Sequence, residues 1–339
     1  MSHRVAILGA TGAVGRTMVG ILEERRFPVR ELRLFSTQRS AGQEVVFQGE
    51  RLPVREATSG AFDGVDFALF STGADGARAW APAARAAGAT VIDNSTAFRY
   101  DDQVPLVLPE VNAQVLAGGP TLVANPNCST ITMLLVLAPL HRRVRVERAV
   151  VATYQSVSGT GVDALAELEE ELRADAEGRP AVARVYPQPI AFNVFPQVMD
   201  FLPNGYCEEE MKFVLESRKI LGDPTLRVTA TTVRVPVRVG HCEALNFEFE
   251  RAIQADEARA ILAAAPGVLV VDDPSRGLYP TALLAAGRDE ALVGRIRRDL
   301  SHERGLALFV ACDNLRKGAA LNAVQIAEVL AGRPAAAAP

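Results

Sequence analysis

Arg4-Val5-Ala6-Ile7-Leu8, running straight into Gly9-Ala10-Thr11-Gly12-Ala13-Val14-Gly15, is the stretch on which the fold turns. The first five residues are aliphatic or β-branched apart from the leading arginine, as in a buried strand. A helical pattern then extends from Val14 to about Arg25, and Phe27-Pro28 breaks it. A strand, a glycine-rich turn and a helix in this order form the dinucleotide fingerprint. Glycines let the backbone come close to a pyrophosphate, and the start of the helix favours its negative charge. The spacing is GxxGxxG rather than GxGxxG, and a purely structural turn is the alternative. Its place directly after a clean strand favours a nucleotide, held by Gly9, Thr11, Gly12, Ala13 and Val14.

The second strand, Glu31 to Phe35, carries the choice of nucleotide. An NAD site usually ends this strand in an acidic residue that binds the ribose 2′-hydroxyl. Here Ser36-Thr37-Gln38-Arg39-Ser40-Ala41-Gly42 follows, with no carboxylate before Glu44. The hydroxyls of Ser36 and Ser40 with the Arg39 guanidinium suit a 2′-phosphate, so NADP is the expected cofactor; a solvated loop arginine is the alternative. Val65 to Phe70 reads as a third strand ending in Ser71-Thr72-Gly73. A helix from about Ala74 to Ala87 then leads to a strand over Thr90 to Ile92. This alternation predicts an α/β fold with a Rossmann-type doubly wound parallel sheet.

After Cys128 the character changes. Strands are read over Val150 to Gln155, Leu226 to Val239, Leu245 to Glu250 and Leu306 to Ala311. Helices are read over Asp163 to Ala176, Glu208 to Leu221 and about Ala319 to Leu330, with a proline-rich connection from Ala191 to Gly205. This half is expected to be an α+β catalytic and dimerisation domain, residues 128–312, inserted into a nucleotide domain made of residues 1–127 and 313–333. Residues 334–339 read as a disordered tail. No internal repeat is evident.

Composition narrows the function classes. The chain has 339 residues, 49% hydrophobic and 22% charged, with net charge −4, as in a soluble globular protein. No basic stripe points to nucleic acid, and no apolar run is long enough for a membrane. The strand pattern begins at once after Met1-Ser2-His3, leaving no room for a signal peptide. Cys128, Cys207, Cys242 and Cys312 form no CxxC pair, so neither a metal site nor a disulfide framework is expected, and a reducing cytoplasm is. Only Lys212, Lys219 and Lys317 among the 36 basic residues are lysines, which draws attention to the segment around Lys212.

Cys128 lies in Asn125-Pro126-Asn127-Cys128-Ser129-Thr130, ahead of the apolar run Ile131 to Leu137. Turn residues precede it, and Ser129 and Thr130 suit a first helical turn. A thiol at a helix N-terminus has its pKa lowered and becomes a nucleophile near neutral pH; a small buried cysteine is the bland reading. Four further clusters could converge on it. They are Gln155 with the Ser158-Gly159-Thr160-Gly161 loop; Glu209 and Lys212, one helical turn apart; Arg234 and His241, on a strand and the turn after it; and Arg99, in the loop Asp93-Asn94-Ser95-Thr96-Ala97-Phe98-Arg99. A surface ion pair would equally explain Glu209 with Lys212, and a loop salt bridge Arg99.

These motifs resemble those of bacterial aspartate-β-semialdehyde dehydrogenase, nearly from end to end. The likeness runs from Gly9–Gly15 through Pro126–Thr130, Gln155–Gly161, Glu209-Glu210-Met211-Lys212, Arg234-Val235-Pro236-Val237 and Gly240-His241-Cys242-Glu243 to Asp313-Asn314-Leu315-Arg316-Lys317-Gly318-Ala319-Ala320. The resemblance implies that Cys128 is the nucleophile, His241 the general acid/base and Gln155 the residue that orients the intermediate. It gives Arg234 and Glu209 the substrate's carboxylate and amino groups, Arg99 and Lys212 its phosphate, and Asn127 a substrate contact. It sets Asn314, Ser71, Thr72, Gly73, Ser158 and Gly159 at the cofactor. The implied reaction interconverts L-aspartate 4-semialdehyde and L-4-aspartyl phosphate through a Cys128 thioester, in a homodimer joined by the second domain, for amino-acid biosynthesis. Cys242 stands where the family often has Ser, and Thr160 where it often has Ala. The rivals are N-acetyl-γ-glutamyl-phosphate reductase, which needs no partner such as Glu209 for an acylated amine, and a non-catalytic NADP-binding paralogue.

Overall fold

A computed structural model describes residues 2–36 and 38–333. The Arg39 side chain and the tail 334–339 lie outside the described residues. The chain divides into two compact units: Met1–Asn127 with the returning segment from Ala319, and Cys128–Gly318. The second unit therefore runs past Cys312, the boundary expected from sequence, and keeps Asp313 to Gly318.

The first unit begins β1 (His3–Leu8), α1 (Ala13–Glu24), β2 (Val29–Ser36), β3 (Glu44–Phe47), β4 (Glu50–Glu56) and β5 (Phe67–Phe70). It continues α2 (Ala74–Ala86), β6 (Thr90–Asp93), α3 (Pro109–Asn112) and β7 (Leu122–Ala124). The sheet order is β3-β4-β2-β1-β5-β6-β7. Every pairing is parallel except the β3–β4 hairpin, which sequence reading missed. Order reverses between β1 and β5, and open α/β sheets bind ligands at such a switch point, beyond the carboxyl ends of the strands. Gly9 and Ser71, the residues that follow these two strands, meet there. Val5, Ile7, Leu69, Ile92 and Val123 form one buried core with Met18, Ile21 and Leu22 of α1.

The second unit holds α4 (Cys128–Arg143), β8 (Val146–Tyr154), α5 (Val162–Ala176), α6 (Glu208–Leu221), β9 (Arg227–Thr231) and β10 (His241–Phe249). Then come α7 (Ala255–Ala263), β11 (Val268–Val270), α8 (Ala282–Ala285), β12 (Ala291–Arg298) and β13 (Gly305–Cys312). They build a mixed six-stranded sheet, β11-β12-β13-β10-β8-β9. After it, α9 (Leu321–Leu330) returns to the first unit, where Leu321, Val324 and Ile326 join the α1 core.

Two expectations need correction. The strand read over Leu226 to Val239 ends at Thr231, and the rest is irregular, with isolated bridges pairing Arg234 to Gln155 and to Phe195. His241 opens β10 instead of occupying a turn. Among the described residues no helix is long and apolar enough to cross a membrane.

Candidate active site

In the first unit the glycine turn is built for close approach. Gly9 has φ +90°, and a Cβ there would overlap the Ser71 carbonyl. A Cβ on Gly15 would overlap the Gly9 carbonyl. Gly12 is the N-cap of α1, and Gly73 that of α2 with nothing within 4 Å of where its Cβ would be. Two helix starts thus present backbone N–H groups at the switch point, with open space beside the second, which fits a dinucleotide pyrophosphate. Thr11 is half-buried, as are Ser71 and Thr72. Ser36 is buried at the end of β2, and Ser40 closes the short 3-10 turn Gln38–Ser40. Arg99 is buried after β6, and its Nη2 donates to the Asn94 carbonyl at 2.8 Å. The Asn94 side chain accepts from Asn125 Nδ2 at 2.8 Å, so the Arg99 loop is tied to the segment just before Cys128.

In the second unit Cys128 is the first residue of α4 and is half-buried. Gly318, within a π-helical turn over Arg316–Ala320, backs onto it: a Cβ on Gly318 would lie 2.9 Å from Cys128 Cβ. Asp313 shapes this turn, accepting the N–H groups of Leu315 and Arg316 on one carboxylate oxygen and that of Gly287 on the other.

Gln155, just past β8, links two other candidates. Its Nε2 donates to Glu209 at 3.0 Å, and its Oε1 accepts from Thr153 Oγ1 at 3.0 Å. Lys212 donates to the second Glu209 oxygen at 2.7 Å. Glu209 and Lys212 are both buried, so the surface ion-pair reading fails. Arg234 Nη1 donates to the Ser156 carbonyl at 2.6 Å, and its guanidinium sits 5.9 Å from the centre of the Tyr186 ring. The Tyr186 hydroxyl in turn donates to Thr160 Oγ1 at 2.8 Å.

His241 is fully buried. Its Nδ1 accepts the Ser156 backbone N–H at 3.1 Å, and Nε2 has no hydrogen-bond partner. Gly159 packs tightly here. An atom where its Cβ would be lies 3.2 Å from His241 Nε2 and 3.3 Å from Arg234 Nη1. Burial first, and then the Arg234 charge, push the His241 pKa down to about 3, against smaller opposing effects of Glu209 and the Gly240 backbone. Asn314 ties the cluster together. Its Oδ1 accepts from Gly240 N at 2.9 Å and lies 3.1 and 3.2 Å from the Ser156 and Ser158 hydroxyls, and its Nδ2 donates to Ser158 Oγ at 2.9 Å. Glu243, two residues along β10, is buried with neither carboxylate oxygen hydrogen-bonded. Burial, aided by the Glu209 charge, raises its pKa well above the ordinary value.

The structure thus brings Gln155, Glu209 and Lys212 into one hydrogen-bonded chain, and Gly159, Arg234, His241, Ser158 and Asn314 into another cluster. Asn127 is buried immediately before Cys128. Sequence reading missed Ser156, Tyr186 and Gly318. Ser156 and Gly318 lay inside motifs already singled out, and only contacts from distant segments disclose their parts. Among the described residues no group of three His, Cys, Asp or Glu side chains could hold a metal ion.

Comparison with known proteins identifies the family. Residues 4–118 match the family model "Semialdehyde dehydrogenase, NAD binding domain", and residues 137–317 match "Semialdehyde dehydrogenase, dimerisation domain". The aspartate-semialdehyde dehydrogenase of Legionella pneumophila is 50% identical over 331 residues, covering 96% of this chain and 95% of its own. That of Aquifex aeolicus is 47% identical over 334 residues, covering 97% and 98%. A crystal structure of aspartate semialdehyde dehydrogenase II from Vibrio cholerae, complexed with ASA, superposes with a TM-score of 0.94 at 45% identity, over 98% of this chain and 99% of that one. By sequence and by fold, the chain belongs to the aspartate-semialdehyde dehydrogenases, oxidoreductases with a nicotinamide-binding domain and a dimerisation domain.

Proposed function

We propose that this enzyme interconverts L-aspartate 4-semialdehyde and L-4-aspartyl phosphate, uses NADP, and works through an acyl group carried on Cys128. The observation that carries the reading is the buried polar cluster of the second unit, where Gln155–Glu209–Lys212 and Arg234–Ser156–His241 are set by hydrogen bonds among themselves. Such a cluster is costly to bury and fits a site prepared for a small ionic substrate. Cys128 at the start of α4 supplies a nucleophile that is also a good leaving group. Arg234 offers a fork for the α-carboxylate, and Glu209 a charge for the ammonium group. Arg99 and Lys212 take the phosphate. Gln155, held at both ends of its amide, orients the acyl intermediate, and Asn127 lines the approach to the sulfur.

The turn over Gly9, Thr11, Gly12, Ala13 and Val14 holds the dinucleotide phosphates, with Ser71, Thr72 and Gly73 across the switch point. Ser36, Arg39 and Ser40 take the 2′-phosphate, and Ser158, Gly159 and Asn314 serve the nicotinamide end. When bound, the nicotinamide supplies the two-electron acceptor of the oxidation.

The working state is a homodimer. Along β8 and β10 buried and half-exposed residues alternate, so Val150, Ala152, Tyr154, Ala244 and Asn246 leave one sheet face open for a second copy. A hollow of about 500 Å³ beside it is lined by Tyr279, Pro280 and Phe309.

Mixing the protein with aspartate semialdehyde, phosphate and NADP+ should give phosphate-dependent NADPH formation. Cys128→Ser should abolish it while nucleotide binding persists. Omitting phosphate should let mass spectrometry detect an acyl adduct on Cys128. Turnover in Cys128→Ser, or turnover indifferent to phosphate, would refute the covalent route.

A further inference from the structure

We infer that Met199 is a positioning residue whose thioether aims the Lys212 ammonium at the incoming phosphate. The inference rests on the phosphate role given to Lys212 above. Lys212 Nζ donates to Glu209 Oε2 at 2.7 Å and to Met199 Sδ at 2.8 Å. An ammonium has three N–H bonds, so these two contacts leave the third for a ligand oxygen. They also stop the flexible four-carbon stem from swinging, so the direction of that third N–H is set before phosphate arrives.

The chemistry of the sulfur suits this task. A thioether is a weak acceptor and carries no charge. It steers the ammonium and leaves its positive charge, already shared with Glu209, for the anion. A second carboxylate at position 199 would neutralise that charge. An aliphatic side chain there would leave the stem held from one side only.

The backbone is bent to bring the sulfur to Lys212. Met199 has φ +68°, in the left-handed region that residues with a Cβ avoid. Strain of this kind persists only where the surroundings fix it, and it concentrates at functional sites. Before Met199, Phe195 exchanges two backbone hydrogen bonds with Arg234, and Val198 is buried. Within the turn, Gln197 Nε2 donates to the Met199 carbonyl at 3.2 Å. After it, the Asp200 carbonyl accepts the N–H of Glu208, the first residue of α6, at 2.9 Å. Met199 itself is 45% exposed, whereas Lys212 is buried. Core packing therefore does not account for a bulky residue in this conformation, and the contact with Lys212 does. One short stretch thus runs from the arginine assigned to the carboxylate to the lysine assigned to the phosphate.

Steady-state rates of the full-length enzyme, with phosphate varied at saturating aldehyde and NADP+, test the role of Met199. Met199→Leu keeps the volume and removes the acceptor. Its KM for phosphate should rise about three- to tenfold, with kcat at saturating phosphate within about twofold of the parent. Met199→Gln restores a neutral acceptor and should bring KM back to within about twofold of the parent. In a Lys212→Gln background, Met199→Leu should change nothing further, because its partner is gone. A Met199→Leu enzyme with the parent's phosphate KM, a Met199→Gln enzyme no better than Met199→Leu, or equal effects with and without Lys212 would each overturn the inference. Lys212→Gln separates two kinds of failure. If it raises KM for phosphate while Met199→Leu does not, only the role of Met199 falls. If it leaves KM for phosphate unmoved, the phosphate role of Lys212 falls and this inference falls with it.

Discussion

One absent methyl group governs how Cys128 is seated. Gly318→Ala would bring a carbon within 2.9 Å of Cys128 Cβ, closer than packed side chains tolerate, so either the π turn or the start of α4 must move. Misplacement of a nucleophile by an ångström costs about 10²-fold. The variant should therefore stay folded by circular dichroism, lose about that much kcat and show an altered rate of thiol alkylation. Glu243 supports a different prediction. Its pKa in the folded protein lies well above the ordinary 4.5, so the folded chain keeps a proton that the unfolded chain loses. Stability contributed at this position therefore falls as pH rises from 4.5 toward the raised value, by up to tenfold in the folding equilibrium per pH unit. Glu243→Gln should abolish that slope. Urea midpoints of parent and variant should converge near pH 4.5 and separate in the variant's favour by about pH 7. Cys128 and His241 could be picked out from sequence because their side chains are reactive and sit in distinctive motifs. Gly318 and Ser156 could not be weighed that way, because what matters is an empty volume and a backbone N–H, each meaningful only against a residue far along the chain.

Two buried glutamates on α5 organise a segment that has no regular structure of its own. Glu167 accepts the N–H groups of Arg184, Val185 and Tyr186, and Glu171 those of Ile190 and Ala191. The segment ends at Phe195, which exchanges two backbone hydrogen bonds with Arg234. Tyr186 and Phe195 are thereby carried to the arginine assigned to the substrate carboxylate. Glu171→Ala would orphan two N–H groups and should cost about 2–5 kcal/mol, seen as a lower urea midpoint. KM for the aldehyde should rise at the same time, since the Tyr186–Arg234 contact loosens; an unchanged KM would disconnect the segment from substrate binding. None of this follows from periodicity, because the order comes from carboxylates on a helix and not from the segment's own pattern. The helices over Ala74–Ala86 and Glu208–Leu221 were legible because their spacing is unambiguous. The β3–β4 hairpin was missed because Glu44, Glu50, Arg51, Pro53 and Arg55 hide its alternation. The strand beyond Thr231 was overread because an aliphatic pattern continues where ladder pairing does not.

At the scale of the molecule, the open sheet face makes the dimer testable. Ala244 sits in its middle, opposite Ala152 and Phe309. Ala244→Arg should give monomers in sedimentation equilibrium at concentrations where the parent is dimeric. The first unit has its own staples: Arg25 and Glu328 join α1 to α9 through a buried ion pair at 2.7 Å, and Asn322 Nδ2 donates to Asn125 Oδ1 at 2.6 Å. Asn125 also donates to the Ala319 carbonyl at 3.4 Å. Residue 125 lies just before the chain leaves this unit, and residue 319 is where it comes back. The exit and re-entry points are therefore neighbours, and excising everything between them would leave two ends that a few glycines could ligate. Such a miniature should fold around its seven strands and retain dinucleotide affinity with no trace of aldehyde chemistry, which makes the nucleotide half a transplantable cassette.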